Sequence, residues 1–331
     1  MKETILVTGC AGFIGYHVCN KLLNEGHHIV GIDNISDYYD VNLKQKRISN
    51  LQNKFGTNFT MVYDDICEDW IDDVFDLFAP SIVIHLAAQA GVRYSLENPD
   101  EYIRTNINGF YNILKLSQEY KVKKFIYASS SSVYGESARL SFDENMKTDY
   151  PESLYAATKK CDEILAEYFS NMFDISCTGL RFFTVYGEWG RPDMFYYDIL
   201  NKWKKGEKIQ IFNNGNNFRQ FTYIKDAVQR ICKLIDYPFA EHCIFNIASE
   251  SEEVKIDDFV KLMFDICKEE HLLSEDVKFE DIVEYTERSK GDVCRTKAST
   301  DKFKSHFGSC KTTILEEGLR NFVNWYKEYE I

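Results

Sequence analysis

The sequence predicts an α/β protein, a doubly wound parallel sheet followed by a smaller, mixed α/β C-terminal part. Three observations carry this expectation. Near-continuous apolar strands alternate with amphipathic helices through the first half of the chain, as in parallel sheets covered on both faces. A glycine-rich turn joins the first strand to the first helix, and after about residue 183 the regular alternation gives way to short elements. At 331 residues, with 44% hydrophobic and 15% aromatic content, the chain exceeds the ~250 residues of a single growing core. It has ample apolar surface to fold, which excludes disorder.

The elements follow in order. ETILVT (3–8) is a β-rich apolar run, and HVCNKLLNEG has helical apolar spacing ending at Gly26. Further strands are expected at 28–33, 81–87 and 125–130, with helices at 40–54, 99–120 and 155–172 between and after them. SCTGLRFF (176–183) closes the regular part. Beyond it the pattern supports a short strand at KIQIF (208–212) and helices near 225–236, 256–270 and 313–328. No internal repeat or low-complexity tract interrupts the chain, and SESEEVKIDD near 249 reads as a solvated loop and helix start.

Charge narrows the partners. With 39 Lys plus Arg against 52 Asp plus Glu, the net charge is −13, which opposes the basic footprint of nucleic-acid binding. No apolar run approaches the ~20 residues of a membrane span, and the first residues enter a strand directly, so a cytoplasmic protein is expected. The ten cysteines are scattered, with no CxxC spacing, and are expected to be reduced thiols rather than a metal or redox site.

Two motifs carry chemistry. In TGCAGFIG, Gly9 permits the tight turn, Gly12 lets the backbone approach a pyrophosphate, and Gly15 allows close helix packing, with the helix N-terminus facing the anion. Asp33 ends the next strand eighteen residues past Gly15, where a carboxylate accepts from ribose hydroxyls and repels a 2′-phosphate. A Rossmann-type domain preferring NAD over NADP is expected. In YAATKK, Tyr155 and Lys159 stand at i and i+4 and share a helix face. A phenol of pKa ~10 serves as a base near neutrality only beside a cation, which Lys159 supplies. Alone, such a pair is more often a surface contact. Here Ser130, at the C-terminal end of a parallel strand, adds a hydroxyl where such sheets place their ligand crevice.

These stretches resemble the extended short-chain dehydrogenase/reductases of the nucleotide-sugar type, and most closely the UDP-glucuronate 4-epimerases. The resemblance runs from residue 5 to 226 through TGCAGFIG, GIDNISDYYDVNLKQKR, IHLAAQAGVRYSLENP, YASSSSVYG, SLYAATKK, LRFFTVYGEWGRPDM and FTYIKD, with a weaker fit at GDV and EEGLRNFVNWY. It implies Ser130, Tyr155 and Lys159 as the catalytic set. For the cofactor it implies Gly9, Gly12, Phe13, Ile14, Gly15, Asp33, Asn34, Lys44, Asp65 and Ile66 (beside the adenine), Leu86, Ala87, Gln89 and Phe182, together with Tyr155 and Lys159. For the substrate it implies Thr184 and Arg219 on the diphosphate, Ile211 and Phe212 on the uracil and Asp292 on the uridine ribose. Ser131, Ser132 and Arg191 surround the sugar carboxylate, with Arg93, Ser130 and Tyr155 also on the substrate. Gln220, Ser289 and Cys310 depart from the usual Asp, Arg or Gln, and Pro, and Arg288 is the candidate to replace the contact missing at Ser289. The NAD-binding domain is expected over 1–180 with returning segments near 214–248, and the substrate domain over 181–213 and 249–331.

The reaction so implied is inversion of carbon 4 of UDP-glucuronate to UDP-galacturonate through a transient 4-ketone, with NAD regenerated and no metal. The alternatives are a UDP-hexose 4-epimerase with a neutral substrate and a nucleotide-sugar dehydratase or decarboxylase. The lyases are disfavoured because Ser131 and Ser132 stand where those relatives carry acids. A non-catalytic NAD sensor is a further alternative, opposed by the intact Ser130, Tyr155 and Lys159. The family also implies a homodimer, through helices near 99–118 and 153–172 carrying Tyr102, Ile103, Phe110, Leu165, Tyr168 and Phe169.

Overall fold

The computed structural model describes residues 2–135, 141–237, 241–287 and 295–330; Arg288, Ser289 and Asp292 lie outside them. The chain divides into two compact units, one comprising Met1–Ser137, Glu144–Phe182 and Val228–Ile247, the other Ala138–Asp143, Phe183–Ala227 and Ala248–Ile331.

The first unit is a Rossmann-type domain. Its strands are β1 (Thr4–Thr8), β2 (His28–Asp33), β3 (Phe59–Tyr63), β4 (Ile82–His85), β5 (Lys124–Ser130), β6 (Ser176–Phe182) and a seventh, Cys243–Ile247. Their spatial order is seventh, β6, β5, β4, β1, β2, β3, and every pairing is parallel. The order reverses between β1 and β4, where Thr8 is in register with His85, and ligands bind such sheets outside the strand ends at this point. Ile5, Leu6, Val7, Val83 and Ile84 are fully buried because helices cover both faces.

Helix α1 (Phe13–Asn24) turns Val18, Cys19 and Leu22 inward, and α2 (Val41–Phe55) begins at Asp40, whose side chain accepts from Asn42 N–H. The helix expected over 99–120 is present and continuous, with a π-helical stretch, Ile103–Gly109, between Pro99–Tyr102 and Phe110–Glu119. Helix Leu154–Phe173 starts at Ser153, whose hydroxyl accepts from Ala156 N–H at 3.1 Å. Strands β3 and Cys243–Ile247 were not expected from the sequence, since FTMVY and CIFNI are five-residue runs too short for periodicity to identify. The returning segment is narrower than 214–248: Phe221–Tyr223 pairs with Thr184–Tyr186 instead of the large sheet, so only Val228–Ile247 rejoins the first unit.

The second unit is built from small pieces. Val254–Lys255, Phe218–Arg219 and Arg295–Thr296 form a three-stranded sheet, and Ile209–Ile211 pairs with Val283–Tyr285. Helices Phe195–Lys204, Ile256–Glu269 and Leu315–Glu330 supply bulk, and Tyr196, Tyr197, Phe322 and Tyr326 form an aromatic core. Among the described residues no helix is long and apolar enough to cross a membrane, and the nine described cysteines are free.

Candidate active site

The glycine turn is shaped by contacts no side chain could tolerate. Gly9 has φ +70°, and a Cβ there would stand 2.7 Å from the Ala87 nitrogen. A Cβ on Gly15 would come within 2.1 Å of the Gly9 carbonyl oxygen, and one on Gly12 within 2.9 Å. Gly12 caps α1 without a side-chain hydrogen bond, so backbone N–H groups at the helix start are presented bare to an anion. This cradle fits a dinucleotide pyrophosphate. Phe13 is buried beneath it and can offer a ligand only its backbone, while Ile14 is partly exposed.

Asp33 sits at the end of β2 as expected. Its Oδ2 accepts from Ala11 N–H at 3.0 Å and its Oδ1 from Ile35 N–H at 2.9 Å, which fixes the carboxylate and leaves lone pairs for ribose hydroxyls. Burial pushes its pKa up, against the pull of Lys44 and of the two amides. Lys44 is buried on the Ser36 carbonyl (2.6 Å), and Arg47, which the sequence reading did not single out, is buried on the Ala11 carbonyl (2.7 Å) and so braces the glycine turn. Asp65 accepts from Cys67 N–H, the Asn34 amide and Arg104. The Ile66 side chain belongs to the core, so only its backbone can lie beside an adenine.

At the end of β4 the chain is pinned to β1 and to the π-helical stretch. Leu86 N–H donates to the Thr8 carbonyl, and Ala87 N–H to the Thr8 hydroxyl. Gln89 exchanges two hydrogen bonds with Asn106, whose amide also reaches Thr158. His85 lies 2.8 Å from the Thr8 hydroxyl and is fully buried; burial, then the Lys159 charge, pushes its pKa down to about 3, so it is neutral. Phe182, at the end of β6, is partly exposed.

The catalytic candidates all lie in the first unit. Ser130 ends β5, and its Oγ accepts from Ser132 N–H (3.2 Å) and the Ser132 hydroxyl (2.8 Å), leaving its own proton to donate. Ser131 and Ser132 begin the 3₁₀ turn Ser131–Tyr134 and are partly exposed. Tyr155 and Lys159 share a face of Leu154–Phe173; the Tyr155 ring packs edge-on against Tyr102, and Lys159 is buried. Helix and strand are locked together by Glu163, which accepts from the Ser129 hydroxyl at 2.6 Å and from two Arg181 nitrogens at 2.8 Å. This buried, bidentate pair fixes the distance from strand end to helix.

In the second unit Thr184 opens the strand Thr184–Tyr186 and is partly exposed, as are Phe212 and Arg219. Ile211 is fully buried, and its carbonyl accepts from Thr286 N–H at 3.0 Å. Arg191 grips Asp193 of its own loop through two nitrogens. Gln220, the departure from pattern, is buried: its amide donates to the Ser249 and Ser251 carbonyls and accepts from Ala298 N–H, a clamp rather than a ligand contact. Arg93 is exposed in the first unit at the start of Tyr94–Glu97.

With this geometry in place, similarity to known proteins assigns the lineage. The profile of the NAD dependent epimerase/dehydratase family matches residues 5–248. The chain belongs to that family. It is 38% identical to Protein CapI of Staphylococcus aureus, covering 98% of both chains. It is 37% identical to the probable UDP-glucuronate 4-epimerase of Rhizobium meliloti, covering 98% of this chain and 96% of that one. Among solved structures it is similar to the UDP-glucuronic acid 4-epimerase of Bacillus cereus in complex with UDP-glucuronic acid and NAD. There the TM-score is 0.88 at 29% identity, over 98% of this chain and 99% of that one. The motif resemblance and the Rossmann-type fold drawn from sequence both agree with these findings.

Proposed function

We propose that the chain is an NAD-dependent epimerase that inverts carbon 4 of UDP-glucuronate, giving UDP-galacturonate. The observation that carries this is likeness along nearly the whole chain, both units included, to proteins of that activity. When bound, NAD accepts the hydride from carbon 4 and returns it. Tyr155 takes the hydroxyl proton and gives it back, Lys159 stabilises the phenolate by its charge, and Ser130 donates a hydrogen bond to the same sugar oxygen. Gly9, Gly12 and Gly15 seat the pyrophosphate, Asp33 and Asn34 the adenosine ribose, and Asp65 with the Ile66 backbone the adenine. Leu86, Ala87, Gln89 and Phe182 follow the cofactor toward the nicotinamide.

In the second unit, we assign Thr184 and Arg219 to the diphosphate, Phe212 and the Ile211 backbone to the uracil, and Asp292 and Arg288 to the uridine end. We assign Ser131, Ser132 and Arg191 to the sugar carboxylate, and Arg93 to the substrate. The carboxylate needs holding because a 4-ketone turns glucuronate into a β-keto acid, which loses carbon dioxide when that group aligns with the carbonyl. Purified protein incubated with UDP-glucuronate, UDP-glucose or UDP-galactose should convert only the first, with NAD released on denaturation. Efficient conversion of a neutral UDP-hexose would reject the substrate assignment.

We further infer a homodimer acting in the cytoplasm, a reducing compartment that suits nine free cysteines. Of the six residues named from sequence, Tyr102, Phe110 and Phe169 face the core and Leu165 packs against it, so they are unavailable to a partner. Ile103 and Tyr168 are exposed, joined by Tyr111, Ile164, Met172 and Phe173 on the same helices. Light scattering should give twice the chain mass, and a single-chain mass would oppose the pairing.

A further inference from the structure

The charge of Lys159 makes the Tyr155 phenol usable as a base, and a second charge stands against it. Lys159 Nζ lies 3.0 Å from Asp162 Oδ2, and their side chains are 2% and 0% exposed. Asp162 Oδ1 is also buried and has no hydrogen-bond partner among the described residues. A carboxylate with one oxygen unsatisfied is expensive to bury, and nothing else in the packing of Leu154–Phe173 uses it.

The groups around this pair come from four elements. On the same helix, Glu163 is committed to Arg181 and Ser129, and Cys161 is exposed with its thiol pKa raised by burial and by Asp162. From β4, neutral His85 faces Lys159. From β5, Tyr127 faces Glu163 and Asp162, and burial keeps its phenol protonated. From β6 come Arg181, already paired, and Cys177, whose thiol burial pushes up to about 12. Asp162 is therefore the group among these that sets negative charge directly on Lys159. Burial pushes its carboxyl up to about 7 against the pull of Lys159, so its ionisation falls in the working range.

We propose that Asp162 is a positioning residue that sets how much of the Lys159 charge reaches the Tyr155 phenol, and so the pH below which Tyr155 stops serving as a base. The proposal rests on reading Tyr155 and Lys159 as the catalytic pair. Tyr155 lies one turn before Lys159 and Asp162 nearly one turn after it, so helical spacing sets Lys159 between the phenol and the carboxylate. Ionised, Asp162 draws it toward the helix C-terminus and cancels part of its field; protonated, it releases it.

The test is Asp162→Asn, which keeps the shape and removes the charge, with Asp162→Ser in its place if the amide does not fold. Two curves are recorded against pH: kcat/KM, and the ultraviolet absorbance of the Tyr155 phenolate, taken as the difference from a Tyr155→Phe partner in each background. Both should move to lower pH together, by roughly one unit, and Asp162→Glu should return them toward wild type. A folded charge-free variant with both curves unmoved overturns the proposal. If Tyr155→Phe alone retains activity, the catalytic reading fails instead, so the two failures are distinguishable.

Discussion

The crevice at the ends of β1, β4 and β5 and the recognition residues of the second unit are built in opposite ways. In the crevice, polar groups sit on long strands or a long helix and are held by buried partners: Thr8 with His85, Gln89 with Asn106, Ser129 with Glu163 and Arg181. In the second unit, Phe212 and Arg219 ride on a turn and a two-residue strand, and Arg191 on a loop. Trp189, Asn213 and Asn214 there take left-handed backbone with φ of 57°, 52° and 48°. On the proposed reading, a frame of regular structure sets the type of reaction, and loops set which sugar enters it. The two should therefore fail separately.

The largest effect is expected in the frame. Tyr155→Phe removes the ionisable hydroxyl alone and should lower kcat by about 10²- to 10⁴-fold. Bound NAD and UDP-sugar affinity should stay within a few-fold, as read by calorimetry; near-wild-type turnover would dissolve the distinction between frame and loops.

A smaller effect is expected in the loops. Arg191→Ala loses charge-assisted hydrogen bonds worth about 1.5 to 3 kcal/mol, hence about tenfold or more in affinity for UDP-glucuronate. A loosened carboxylate should also raise the ratio of UDP-pentose to epimer, by chromatography, while binding of UDP-glucose stays indifferent. Unchanged glucuronate kinetics would place the carboxylate elsewhere.

The smallest effect probes the frame's own stability. His85 has a native pKa of about 3 against an ordinary 6.5, so the unfolded state takes the proton first. Its contribution is full above pH 6.5 and is lost as pH falls toward 3. Between pH 6.5 and 5.5 this amounts to about 1 kcal/mol. Asp162, with its raised carboxyl, slopes the other way and is common to wild type and His85→Asn, so the difference between their denaturant midpoints isolates the histidine. Equal pH dependence in both would show that His85 is not buried as a neutral ring.

The same contrast explains what could be read in the sequence. The glycine turn, Asp33, Ser130 and the Tyr155–Lys159 pair were legible because tight turns, strand ends and helical spacing leave periodic or glycine-marked traces. Strand Phe59–Tyr63 was missed because five residues are too few for a clear alternation, although Gly56, Asn58, Asp64 and Asp65 frame the run. His85, Asn106, Asp162 and Asp193 were passed over because their importance lies in partners brought from elsewhere or, for Asp162, in burial that i,i+3 spacing alone does not announce. Gln220 departs from the usual Asp and clamps the Ser249–Ser251 backbone to Ala298, which no local pattern reveals.

On the proposed mechanism, a hydride leaves carbon 4 of UDP-glucuronate and returns to the same carbon within one binding event. The most direct measurement is turnover of UDP-glucuronate deuterated at carbon 4, without added cofactor, with mass and proton analysis of product and solvent. UDP-galacturonate should keep the deuterium at carbon 4, with none in the water. Deuterium washed out to solvent, or no inverted product at all, would contradict it.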